Sequence, residues 1–352
     1  MKIILDDIIC KENLFPFTLT RSTADIRIGI LTIREKWEML SDKKVYTLSE
    51  NKEAENENEN TRLVPANIIP SRKWFKAWKH NNISDFTKLN HLKVEYAWQI
   101  FHNNDQAIRD DYELITKKRI PIAIRTQKIS STNKVIGKNI FIEEGAKVEH
   151  SILNASPGPI YIGKNAEVME GCMIRGPFAM CEGSVLKMGA KVYGATTLGP
   201  YCIGAGEIKN SILFGYSNKA HDGYLGDSVI GEWCNLGAGT SNSNIKNTAG
   251  NINICIDHKK EKISAGIKCG LLMGDYSRSA INTSFNTGSV VGVACNVFSD
   301  GFPPTFIENF SWGNKKYELE KALEHIDNWK KLKGHILSEE EKNILSAIHQ
   351  KK

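Results

Sequence analysis

One histidine stands where the sequence least resembles a packing core. His221 lies in "GYSNKAHDGYLGD", residues 215–227, among glycines, a lysine, a tyrosine and two aspartates. An imidazole in such a place can be a structural group, a metal ligand or a base. The glycine and polarity around it count against a buried structural role. Metal binding needs several converging ligands, and only His150, His221 and His258 fall in or near the repeating part of the chain described below. The chemistry favoured for His221 is that of a base. Imidazole titrates near neutrality and can take a proton from an amine attacking an acyl group.

A scaffold must position this histidine, and the sequence announces one. From Val135 to about Phe298 aliphatic residues recur every six positions: Ile136, Ile142 and Val148, then Ile162, Val168, Ile174, Met180, Leu186, Val192 and Leu198. Later runs give Ile230 and Leu236, then Met273, Phe285, Val291 and Val297, with Ser279 breaking the series. A small residue stands two positions before many of them, as at Ala166, Cys172, Ser184, Ala190, Cys234 and Cys295, and glycine often follows. Such a unit is one short strand and corner of a left-handed parallel β-helix of hexapeptide repeats. Phe178, two before Met180, breaks the small-residue rule. The beat lapses over Leu153 to Pro159, Glu207 to Tyr224 and Ser241 to about Ile267, and functional sites are expected where loops leave the repeat. His221 belongs to the second lapse.

Residues 1–105 read as an α/β domain, with strand-like "KIIL" and "KVYTL", a helix near Thr32 to Leu40 and another at "KWFKAWKH". "SENKEAENENENTR" reads as a low-complexity loop. A linker is expected over 106–134, the β-helix over 135–300, and helices over 301–352, the last with Ser338 as N-cap. The composition, 41% hydrophobic and 24% charged, is that of a folded globular protein, and the expected location is cytoplasmic, with no membrane span. Eight cysteines without a CxxC pair suggest free thiols, those in the small slot packing as core residues. A formal charge of +6 suits phosphates or coenzyme A as well as weak nucleic-acid affinity, but dispersed basic residues without a stacking platform argue against a nucleic-acid partner.

The segment "GEIKNSILFGYSNKAHDGYLGDSVIGEWCNLGAGTSNSN", residues 206–244, resembles the acetyltransferase half of the bifunctional UDP-N-acetylglucosamine pyrophosphorylase/glucosamine-1-phosphate N-acetyltransferase family. The resemblance implies that His221 is the catalytic base, that Lys209 binds sugar phosphate, and that Tyr224 stands beside the base. It implies that Asn235 orients base and sugar, that Asn244 contacts the sugar, and that Ala238 lines an acetyl-coenzyme A slot. The amides of Gly237 to Gly239 are the expected oxyanion donors. Lys187 in "LKMGAK" replaces a phosphate-binding arginine, and "NIKN" replaces "NYDG", putting Ile245 where the family has a substrate-contacting tyrosine. Lysine supplies a point charge rather than a bidentate fork, so the acceptor sugar is the open matter.

At the amino terminus "LFPFTLTRSTADIRIGILTIREKW" replaces the family's glycine-rich nucleotide loop, and the short domain resembles that of truncated sugar nucleotidyltransferases fused to the same β-helix. Arg21, Arg27, Arg34 and Lys36 are candidates for phosphates, against surface or capping roles, and Asp6 and Asp7 for a metal. The expectation is a homotrimeric transferase moving acetyl from acetyl-coenzyme A to an amino-sugar phosphate or nucleotide-linked amino sugar. No metal is needed for that step, and Mg2+ enters only if the first domain transfers nucleotides. The rivals are a sugar-1-phosphate nucleotidylyltransferase with the β-helix as scaffold, and a catalytically silent sugar-nucleotide-binding trimer.

Overall fold

The computed structural model describes residues 2–50, 61–81, 91–117, 126–256 and 262–351. Most of the low-complexity loop, residues 51–60, and His258 lie outside these. The expected left-handed parallel β-helix is present as a three-faced prism. Its first face begins with the strand Lys134–Ile136 and runs through six parallel strands to Tyr224–Gly226, continued by the pair Ser241–Asn242 and Ser284–Phe285. The second face stacks nine strands from Ile140–Ile142 to Phe306–Ile307. The third climbs from Lys147–Val148 to Ser311–Trp312 and ends in the antiparallel strand Lys315–Lys316. Inward residues form ladders, for example Ile142, Ile162, Met180, Leu198 and Leu213, which fill the prism.

Phe178 joins this interior at 0% exposure, on a ladder with Ile160 below and Thr196 above. The second face thus accepts a ring in its small slot because the next rung is a threonine. Cys172, Cys234 and Cys295 are buried, and all eight cysteines are free. Burial pushes the Cys295 thiol up to about 11, as befits core residues.

The second lapse in the beat is not a departure from the solenoid. Glu207 to Tyr224 forms a regular coil whose inward residues are Ile208, Leu213 and Lys219, followed by Leu225, Ile230 and Leu236. Two features hide the period: the step from Gly204 to Ile208 is two residues shorter, and those from Ile208 to Leu213 and from Leu225 to Ile230 one shorter, than six, and a lysine stands in an aliphatic's place. The third lapse does leave the prism. Residues 243–270 carry an antiparallel hairpin, Asn253–Cys255 with Lys262–Ser264, whose Ile252, Ile254 and Ile256 enter the core of the first domain.

That domain centres on a parallel sheet with Lys2–Asp6 between Tyr46–Thr47 and Thr61–Pro65. Helix Ile33–Ser41 starts at a capping box of Thr32 and Glu35. Its Trp37 meets Trp74, Phe75 and Trp78 of helix Arg72–Asn81 edge-on at 5.4–5.8 Å. The domain covers the outer side of the second face: Phe17 lies 5.1 Å from Phe214, and the Thr197 hydroxyl donates to the Gly29 carbonyl at 3.0 Å. The stretch read as a linker contains helix Asn104–Lys117, which belongs to this contact; Asn104 Nδ2 donates to the Ala195 carbonyl at 2.8 Å, and Ala107 and Ile108 are buried. An apolar periodicity in "NDQAIRDDYELITK" signals it. The carboxy-terminal helices Leu319–Lys331 and Glu339–Gln350, the latter capped by Ser338, close over Trp233, Tyr276 and Phe310 at the corner between second and third faces.

Candidate active site

The corner between third and first faces carries His221. The backbone turns there in successive coils, stacking residues 187–190, 205–206, 220–223, 237–240 and 280–283 upon one another. The Gly239 amide donates to the Asp222 carbonyl at 3.1 Å, and the Asn282 amide to the Ala238 carbonyl at 2.7 Å. His221 and Asp222 are both exposed in the third of these turns. Small residues dominate the corner, and a side chain at Gly189 would have no neighbour within 4 Å. The backbone is open at Gly189, whereas Gly206, Gly223, Gly237 and Gly239 pack closely against the turn above each of them.

The strand after His221 brings up the polar partners. Tyr224 lies above Glu207, and Gly226 above Lys209, on adjacent strands of the first face. The Tyr224 hydroxyl accepts from Asn244 Nδ2 at 3.1 Å, and the same amide donates to the Asp227 carboxylate. Burial and then the Asp227 charge hold the Tyr224 phenol above its usual value. Asp227 also accepts from Asn210 at 2.6 Å; Asn210 and Asp227 both take left-handed φ, 46° in each, which their side chains tolerate best after glycine. One coil below, the Tyr193 hydroxyl donates to Glu207 at 2.5 Å, and that bond, with burial, pushes its pKa up to about 12. Lys209 stands directly over Tyr193 in the ladder and is half-buried.

His221, Lys209, Tyr224 and Asn244 thus share one end of the first face and its corner. Lys187 is on the same corner two turns lower, about 10 Å at the usual strand spacing. Asn235 is on the third face instead, accepting from Asn218 Nδ2 at 3.3 Å. Asn235 and Tyr224 are thus on adjacent faces, either side of the corner that carries His221. Of the amides proposed for the oxyanion, Gly237 donates to Ser279 at 3.2 Å and Gly239 to Asp222. The Ala238 amide, between them, is the donor left in that turn among the described residues. Sequence reading missed Asp227, Asn210, Tyr193 and Glu207. Their signal was available, since polar residues alternate with the inward Val192, Ile208 and Leu225 on these strands.

The first domain's cations are committed elsewhere. Arg21 pairs with Asp275 and reaches Glu232 at 3.5 Å, fastening the domain to the solenoid. Arg34 forms paired bonds to Asp25 and Glu50 at 2.6–2.9 Å. Lys36 is buried against Asp111, and Arg27 donates to the Ile30 carbonyl. The capping and packing roles prevail over phosphate contact for these four. Asp7 accepts from the Ser49 amide and hydroxyl at 3.1 and 2.6 Å. Among the described residues no group of three or more His, Cys, Asp or Glu side chains is placed to hold a metal ion, and no helix is long and apolar enough to cross a membrane.

Residues 2–82 match the family model for sugar nucleotidyl transferases. Among curated proteins, the bifunctional protein GlmU of Methanococcus aeolicus is 34% identical over 119 residues, 32% of this chain and 27% of that protein. Over about a third of its length the chain is similar to GlmU. GlmU of Methanocaldococcus jannaschii is 32% identical over 113 residues, with the same coverage, and GlmU of Thermus thermophilus 30% identical over 135 residues, 31% of this chain and 29% of its own length. The chain therefore covers less than a third of these GlmU proteins.

Proposed function

We propose that this protein is an acetyl-coenzyme A-dependent N-acetyltransferase acting on an amino-sugar phosphate or nucleotide-linked amino sugar. The observation that carries the reading is the exposed His221, in the turn that leads directly to Tyr224 and its Asn244 partner, with Lys209 one strand below. The similarity to GlmU supports it, because the sequence around these residues resembles the acetyltransferase half of that bifunctional family. Ala238 would border the thioester at this corner, where small residues recur in successive turns. The bound thioester supplies the acetyl group and a thiolate leaving group.

In this reading the His221 imidazole accepts the amine proton as nitrogen attacks the carbonyl, and returns a proton to the departing sulfur. The Ala238 amide donates to the carbonyl oxygen as negative charge develops there. Lys209 and Lys187 hold phosphate as point charges, one close to the base and one lower on the corner. Tyr224, fixed by Asn244, and Asn244, fixed by Asp227, orient the sugar so that its amine faces His221. Asn235, on the third face above Asn218, orients base and sugar in this reading, and a homotrimer with sites between subunits belongs to the same proposal.

The test is thiol release from acetyl-coenzyme A with glucosamine 1-phosphate, native protein beside His221→Ala. Release that disappears in the variant supports the reading. Absence of release from folded native protein rejects this donor and acceptor. A second reading rests on the family match of residues 2–82: the first domain transfers nucleotides to a sugar phosphate with Mg2+. Magnesium-dependent pyrophosphate release that survives His221→Ala would support it. Deleting the domain is no test, because it would bare Phe214, Val229 and Leu272 on the second face.

A further inference from the structure

One inward ladder of the third face runs Val148, Val168, Leu186, Gly204, Lys219, Leu236, Ser279 and Val297. Lys219 is the charged rung. It is 1% exposed, shut inside a prism filled by Leu198, Ile208, Leu213 and Leu225. An ammonium in such a place costs stability unless its protons are bonded. Here they are bonded to one feature: Nζ donates to the carbonyl of His221 and, at 3.1 Å, to the carbonyl of Asp222. The Asp222 carbonyl also accepts from the Gly239 amide at 3.1 Å. A continuous path therefore joins the lysine, the turn of the candidate base and the turn that borders the acyl slot. The Asp222 carboxylate is the charged group that acts on Lys219, and burial lowers the lysine to about 8, so burial outweighs that attraction.

We infer that Lys219 is a positioning residue: from inside the prism it fixes the peptide of His221 relative to the Gly237–Thr240 turn, and so sets where the imidazole stands above the acyl carbonyl. The inference rests on the proposed role of His221. A space-filling role would be met equally by an apolar chain of the same length. The carbonyl bonds would not, because no apolar side chain can hold two successive carbonyls of this turn, one of which also accepts from the Gly239 amide of the turn above. The lysine reaches the site only through the backbone, so it touches neither substrate nor coenzyme.

The test compares the full-length native protein with Lys219→Met, which keeps the length and removes the donors, and with Lys219→Gln, which keeps a shorter neutral donor. Three readouts are taken: steady-state thiol release, amide hydrogen exchange, and thermal denaturation. The expected result for Lys219→Met is a kcat lowered about 10- to 100-fold, as a slight misplacement of the base would give, with the acceptor KM within about twofold. Exchange should quicken by about tenfold or more at residues 220–223 and Gly239 and stay unchanged in the coils of Ile160–Arg175, with a melting temperature no lower than native. Lys219→Gln should fall between. Unchanged kcat and unchanged local exchange would overturn the inference, as would a uniform loss of protection along the solenoid. If the native protein releases no thiol with any amino sugar, the proposed function fails; the exchange comparison then decides alone whether Lys219 holds the turn.

Discussion

The first domain and the coil from Glu207 to Asn244 spend their charged and polar side chains in opposite ways. In the first domain Arg21, Arg27, Arg34 and Lys36 point into ion pairs, carbonyls and the seam with the solenoid, with side-chain exposures of 15% or less. In the coil, His221 is exposed, while Lys209, Tyr224 and Asn244 are half-exposed and share a polar network. Cations held by carboxylates inside an interface stabilise a geometry; polar groups held by one another at a surface stay available to a ligand. The comparison is the physical ground for proposing acetyl transfer on the solenoid, whose second face the first domain covers.

The sharpest way to break this contrast is to remove the base. His221→Ala should lower thiol release by about 10²- to 10⁴-fold, the usual range for a general base, with the fold intact by circular dichroism. The first domain predicts the opposite signature. Asp275 accepts from Thr20 at 2.6 Å, from Arg21, and from the Glu232 amide at 2.8 Å. Asp275→Ala leaves a buried guanidinium without its main partner and should cost about 3–5 kcal/mol in denaturant unfolding. Acetyl transfer per folded molecule should stay near native, because the seam lies on the second face, away from the third-to-first corner. If Asp275→Ala abolished turnover without loosening the fold, the division between the two regions would be wrong.

Lys219 sharpens the contrast, since it is a buried cation inside the region otherwise marked by exposed polar groups. Its pKa falls from 10.5 unfolded to about 8 folded, so the charge costs about 3 kcal/mol at pH 7, at 1.36 kcal/mol per unit. Below pH 8 both states are protonated and the folded protein bears the full cost. Between about 8 and 10.5 the unfolded chain still holds the proton the folded one has lost, so this group's contribution to stability rises with pH. Lys219→Met removes the penalty. The variant should be more stable than native at pH 7, and the gap should narrow as pH is raised toward 10.5 in parallel urea titrations. Higher stability with lower kcat would mark a residue kept for function.

How much of this was legible in the sequence depends on which residues faced inward. Ladders such as Ile162, Met180 and Leu198 are aliphatic and evenly spaced, so the prism was readable from its period. The coil around His221 reads as a departure because its inward residues fall at 204, 208, 213 and 219 instead of every six, and Lys219 takes one of those rungs. Pattern alone cannot show that a lysine points into a core, since its carbonyl partners are specified by backbone geometry. The helix Asn104–Lys117 was read as linker for a related reason: its buried face meets the solenoid, so its hydrophobicity makes sense only once that partner is in place. Arg21 is ambiguous in the sequence because Asp275 and Glu232 are more than 200 positions from it in the chain. For the candidate site, resemblance supplied Lys209, Tyr224 and Asn244, and the structure added Asp227 as the group that fixes Asn244.

That addition carries the smallest expected effect and the most local test. Tyr224→Phe removes the hydroxyl that accepts from Asn244 but leaves the Asn244 bond to Asp227 in place. The Asn244 amide therefore keeps its position, and the loss should be about one hydrogen bond, roughly 1 kcal/mol or up to about tenfold in kcat/KM. Asp227→Asn removes the charge that holds both Asn210 and Asn244 and should cost more, because only one of the two amide donors then keeps an oxygen acceptor and the other faces a second NH2 donor. If Tyr224 merely lined the corner, both changes would leave kcat/KM for the amino sugar unaltered. If Tyr224 orients the acceptor through Asn244, the double variant should lose less than the sum of the single losses, since both act through one amide. A strictly additive result would separate the tyrosine from the asparagine and dissolve the network that distinguishes this coil from the first domain.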